Sequence, residues 1–218
     1  MLPFEWCVPL QKLETSKVVV GNIMTRMNRE KKPIAPIAYT DTNIKMPVLT
    51  LLLPHGSVDT YNPTSGRLDL LADQSWFYMK IQALQTTLLT SVFANQQQWF
   101  GGNVFSQEEI NRLFQPILNG TTLQLYCPST PQEKRKGGIR IWKDGVWDDG
   151  VEPGLFTRGQ RIRVVLQIQG ISLQVGVSDG NWTGRSRLQH RILGILIQSP
   201  KIPKCLIQSS EGQTPPPQ

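Results

Sequence analysis

The sequence predicts a mostly β protein with two helices, of the α+β class, whose last strands carry much of its positive charge. Three observations lead there. Arg161 to Leu173 alternates along one long segment: Ile162, Val164, Leu166 and Ile168 fall on one face and Arg161, Arg163, Gln167 and Gln169 on the other, with Val165 the apolar interruption. This is the period-two pattern of a half-buried strand. Short apolar runs bounded by Pro, Gly or Asn recur elsewhere, while helical spacing is confined to the stretch from Ser75 to Asn119. Gly170 and Gly194 interrupt the two longest predicted strands, where a bulge or bend lets a sheet curl or close into a barrel.

The elements follow in order. Lys17 to Met24, Ile34 to Tyr39 and Val48 to Leu53 read as additional N-terminal strands. Val58 to Tyr61 and Arg67 to Leu71 flank Asn62-Pro63-Thr64-Ser65-Gly66, whose Pro and Gly suit a tight hairpin connection. From Ser75 to Phe100, Phe77, Ile81, Leu84, Leu88 and Val92 recur at helical spacing, with Gln82, Gln85, Thr86, Asn95 and Gln96 filling the rest; Gly101-Gly102 ends this helix. Ser106 with Glu109 is a capping box opening a second helix through Ile110, Leu113 and Phe114 toward Asn119-Gly120, with Pro116 a possible early stop. Strands return at Thr122 to Cys127, Ile139 to Trp142, the segment from Arg161, and Leu188 to Ile197. Lys143-Asp144-Gly145-Val146 is the turn of a hairpin joining Ile139-Trp142 to Trp147. Residues 1–207 read as one domain with a helical insert at 75–119. The Pro-rich stretch 208–218 has nothing to bury and is predicted disordered.

Composition narrows the functional classes. The net charge of +7 favours phosphates or anionic surfaces as partners. It is segregated: from Pro131 to Arg191 there are nearly two basic residues for every acidic one, whereas Thr50 to Asn111 is slightly acidic. Cys7, Cys127 and Cys205 lack C-x-x-C spacing and have only His55 and His190 for company, so no metal site and no cofactor are expected. No basic, apolar leader and no apolar run of membrane-spanning length occurs, which predicts an intracellular protein, neither secreted nor membrane-bound. The sequons Asn119-Gly120-Thr121 and Asn181-Trp182-Thr183 then have no role. Asp144, Asp148, Asp149 and Glu152 could hold Mg²⁺ in a nuclease, but one turn-rich loop is a poor scaffold for such a site. His190 has no nucleophile motif beside it. No enzyme activity is expected.

The basic residues themselves carry the binding argument. Arg161 and Arg163 can clamp phosphates from the long strand, or simply form its solvated face. Lys134, Arg135 and Lys136 precede Gly137-Gly138 in a loop suited to gripping phosphate, with Arg140 just beyond; Arg185, Arg187 and Arg191 open the last strand. Trp142 and Trp147 fit packing in the core or within their hairpin. Trp182 sits in the Gly-rich, basic loop Asp179 to Arg185 with less core to enter, and is a candidate base-stacking contact.

"RGQRIRVVLQIQGISL" from Arg158, a Gly-rich loop, and "GRSRLQHRILGILI" from Gly184, preceded by "LQLYCP" and "GIRIWKDGVW", resemble the closing strands of OB-fold single-stranded DNA-binding proteins of large DNA viruses and virus-like mobile elements. The resemblance covers the second half of the chain. It implies an OB-like curled sheet or barrel that coats single-stranded DNA during replication, recombination or repair, in a host nucleus or cytoplasm. Arg161, Arg163, Arg185, Arg187 and a nearby aromatic would then touch the strand. RNA would be an alternative ligand and self-association is compatible. Several such proteins recruit replication partners with an acidic tail; here the tail has only Glu211, so that recruitment is not expected. A reading from another class is a viral structural protein, a capsid-type β-sandwich with a basic genome-facing surface.

Overall fold

The computed structural model describes residues 7–25, 33–42, 45–99, 103–128, 138–143, 146–176 and 181–198. Before the helices lie β1 (Val8–Pro9), β2 (Val18–Val20), β3 (Met24–Thr25), β4 (Pro33–Thr40), β5 (Lys45–Met46), β6 (Leu49–Leu52), β7 (Gly56–Asn62) and β8 (Arg67–Ala72). Helices α1 (Ser75–Trp99) and α2 (Gln107–Leu113) follow. After them come β9 (Phe114–Gln115), β10 (Leu118–Asn119), β11 (Thr122–Tyr126), β12 (Arg140–Lys143), β13 (Val146–Asp149), β14 (Arg161–Val175) and β15 (Trp182–Ile197). Among the described residues the fold is mostly β with two α-helices, an α+β arrangement. Lys134, Arg135, Lys136, Asp144, Gly101-Gly102 and the 208–218 tail lie outside the described residues.

Helix α1 forms where the spacing places it. Phe77, Ile81, Leu84, Leu88 and Val92 are buried along one face, each contributing about 1.5–3 kcal/mol of apolar burial. Two residues that the pattern treats as polar filler share that face. Gln85 Oε1 accepts from Ile117 N at 2.9 Å, and Gln96 clamps the backbone of Phe105, donating to its O at 3.0 Å and accepting from its N at 2.8 Å. A buried amide satisfied by backbone in this way ties the connection onto the helix. The capping box opens α2 as expected, with Glu109 N on Ser106 Oγ and Ser106 N on Glu109 Oε2. The helix does not continue toward Asn119. It stops at Leu113, because Phe114 turns extended two residues before Pro116 and joins β15 as β9.

The longest run of paired strands is β10-β11-β8-β7-β14-β15-β12-β13. Strand β14 is its spine. One edge takes β15; the other takes β7 at Arg161–Ile162, β6 at Val165–Ile168 and β4 at Gly170–Ser172 in succession. Strand β15 adds parallel partners, β9 near Ser186 and β12 along Gly194 to Ile197. The two glycines sit where the β14–β15 register shifts, one between Ile168 and Gly170, the other between the pairs Val165–Gly194 and Leu166–Ile192. A Cβ at Gly170 would run into Ala35 O and the side chain of Ile34, so β4 can approach only a glycine there.

Among the described residues the mixed sheet curls but no ladder closes it. At the seam, Tyr126 N of β11 donates to His190 Nε2 of β15 at 3.0 Å. The inner side is filled: the space left among Leu53, Leu70, Phe77, Leu123 and Val164 is only about 10 Å³, room for one water at most. A sizeable ligand has no room in this space. Among the described residues no helix is long and apolar enough to cross a membrane.

Candidate nucleic-acid interface

Directly paired residues of neighbouring strands point to the same side of a sheet, so the register lays out the outer face. Arg163 pairs with Leu196, Leu196 with Trp142, and Trp142 with Trp147, one row crossing β14, β15, β12 and β13. The next row runs Val165, Gly194, Arg140, Asp149, and the third pairs Gln167 with Arg191. Further along β15, Arg187 pairs with Ser172, and Arg185 lies two residues on. Six predicted contacts, Arg140, Arg161, Arg163, Arg185, Arg187 and Arg191, thus share one face. At about 3.3 Å per residue the distance from Arg185 to Leu196 is about 36 Å.

These arginines differ in what holds them. Arg163 donates Nε to Leu53 O at 2.9 Å, which fixes its guanidinium against the β6–β7 bend. Arg161 is ion-paired with Asp73, and Arg140 with Asp149 at 3.6 Å. Arg185 and Arg187 are exposed and have no ion pair among the described residues. Trp142 and Trp147 pack on one another with ring centroids 5.0 Å apart, and the Arg140 guanidinium lies 4.9 Å over the Trp147 ring. The expected hairpin packing is present. Both rings are nonetheless only half-buried and stand in the row that holds Arg163.

Trp182 requires a correction. Its side chain is 1 % exposed, lies edge-on to Phe105 at 5.4 Å and donates Nε1 to Arg185 O at 3.1 Å. A ring buried to this degree cannot receive a base. The Gly-rich composition suggested a loop, but β15 already begins at Trp182, and the hydrogen bond sets the path of the chain to Arg185. The indole fixes the backbone at Arg185 and keeps almost no surface open to a ligand. Gly184 allows this packing, since it has a φ of 81° and any Cβ there would strike Leu113 and Phe105.

Beside Arg163 the face deepens into a cleft of about 250 Å³, where the β6–β7 bend meets the residues leading into α1. Arg161, Arg163, His55, Asp73, Trp76 and Leu10 line it. Burial, and then the charges of Arg163 and Arg161, hold His55 below the usual histidine range. Trp76 and His55 carry no local signal, because each joins the arginines at the cleft only in the folded chain, from about a hundred residues earlier. Tyr126 is 54 % exposed at the end of β11, paired with Arg67, and stands at the seam with β15.

His190 has a structural setting. Burial lowers its pKa, and the neutral ring accepts at the β11–β15 seam. Asp148 and Glu152 are exposed, and no group of three or more His, Cys, Asp or Glu side chains gathers among the described residues. Neither protein-family models, characterised proteins nor solved structures give a significant match to this chain.

Proposed function

We propose that this protein binds single-stranded DNA with little sequence preference and carries out no chemistry on it. The observation that carries this reading is the outer face of β14, β15 and β12, where six arginines share a side of the sheet with the Trp142–Trp147 pair. Guanidinium groups neutralise successive phosphates and release counterions, while any base can stack on an indole. The curl from β11 through β8, β7 and β14 to β15, with its side-chain seam at His190, is compatible with an OB-like, partly open five-stranded barrel. The OB assignment and a role in replication, recombination or repair, in a virus or mobile element, belong to this proposal.

Fluorescence-anisotropy titration of a labelled single-stranded oligonucleotide, with duplex and RNA competitors at several salt concentrations, tests it. Tight, salt-sensitive preference for single strands is expected. Equal weak binding to every polymer would refute it. A second reading, a structural shell protein with a basic inner surface, draws on the exposed Met79 and Phe93 of α1 as a subunit contact. Large closed assemblies in a sizing run without nucleic acid would favour it over the first.

A further inference from the structure

The cleft beside Arg163 has a composition unlike the rest of the face. Two guanidinium groups from alternate positions of β14 reach it, one rigid and one held by a displaceable partner. Arg163 is anchored through Nε on Leu53 O, which leaves its terminal nitrogens without an ion pair among the described residues. Arg161 is occupied by the carboxylate of Asp73, and both side chains of that pair are substantially exposed, 51 % and 36 %. Exposed pairs of this kind are weak. Trp76 forms an aromatic wall, its indole held by a hydrogen bond from Nε1 to Gln74 Oε1. His55, kept neutral, offers a ring N–H.

We propose that this cleft binds a phosphate monoester, with Asp73 occupying the anion position until the ligand displaces it. Charge and size favour the monoester over a phosphodiester in mid-strand. A monoester carries about −1.5 to −2 charges near pH 7, matching two guanidiniums, whereas a diester carries one and must leave the site in both directions. The cleft is bounded on one side by Pro9 and Leu10 and on another by the residues leading into α1. Its volume of about 250 Å³ lies below the roughly 300–1,000 Å³ of drug-sized pockets and suits a phosphate with its sugar against Trp76. The ligand is either a free nucleotide or the phosphorylated end of a strand. The second source rests on the strand-binding reading; the first does not.

The test uses the full chain and two probes: thymidine monophosphate by calorimetry, and oligo-dT with a 5′-phosphate or a 5′-hydroxyl by anisotropy. Asp73→Asn should tighten thymidine monophosphate by up to about fivefold, since it removes the competing carboxylate. Arg161→Ala should weaken it by about tenfold or more. Asp59→Asn makes the same charge change at the Arg158 pair, away from the cleft, and should leave affinity unaltered. A gain on Asp73→Asn cannot come from misfolding. No binding of thymidine monophosphate to either wild type or Asp73→Asn would overturn the proposal, as would equal gains from Asp73→Asn and Asp59→Asn. Preference for the 5′-phosphate oligonucleotide identifies a strand end as the ligand; mononucleotide binding without any oligonucleotide binding supports the cleft while refuting the strand-binding function.

Discussion

Replacing Arg185 and Arg187 together with Ala is the cleanest perturbation of the proposed interface. Both side chains are exposed and neither has an ion pair among the described residues, so their loss should leave folding within about 0.5 kcal/mol of wild type. Their cost to binding follows from counterion release. On a single strand each neutralised phosphate adds about 0.7 to the slope of log affinity against log salt. If each arginine meets one phosphate, the slope flattens by about 1.4. Taking the electrostatic contribution as negligible near 1 M salt, affinity at 0.1 M falls about 25-fold. Anisotropy titrations at four or five salt concentrations read both quantities from one data set. Affinity within twofold of wild type and an unchanged slope would refute the placement of the strand along β15. A loss of affinity without a change of slope would refute phosphate neutralisation as its cause.

Three further outcomes are expected. Trp147→Ala should weaken single-strand binding by about 1–3 kcal/mol with little change in salt slope, because stacking is lost and charge is not; an unaltered affinity would remove the hairpin from the site. Trp182→Ala should cost about 3–5 kcal/mol of folding stability in a denaturant titration, and a wild-type midpoint would show that the ring is not in the core. At His190, burial keeps the folded imidazole neutral below the ordinary value of 6.5, so the unfolded chain binds the extra proton and stability should fall as pH drops below about 6.5. His190→Gln keeps an acceptor for Tyr126 N but no proton site, so the stability difference between the two proteins should change across this range. Parallel pH profiles would exclude His190 as the source.

The local elements were legible because their determinants are local. The apolar spacing from Phe77 to Val92 set the buried face of α1, Ser106 and Glu109 set the start of α2, and the alternation from Arg161 to Ile168 set the inner and outer sides of β14. Gly170 and Gly194 marked register shifts, and at Gly170 only glycine tolerates a backbone neighbour as close as Ala35 O. The outer arginines were found for the same reason, since period two alone puts Arg161 with Arg163 and Arg185 with Arg187.

Everything that depends on partners distant in sequence was decided by the tertiary structure. A Gly-rich stretch reads as loop until β14 supplies a partner strand, and so Trp182 entered the core with Phe105. Gln85 and Gln96 look like surface until the backbone of Ile117 and Phe105 satisfies them. The cleft joins β14 to residues far earlier in the chain, Leu53 and Asp73, through Arg163 and Arg161. Periodicity fixes which way a side chain points within its own element. Which other element it meets depends on strand pairing and loop closure, and these are settled by the packing of the whole chain.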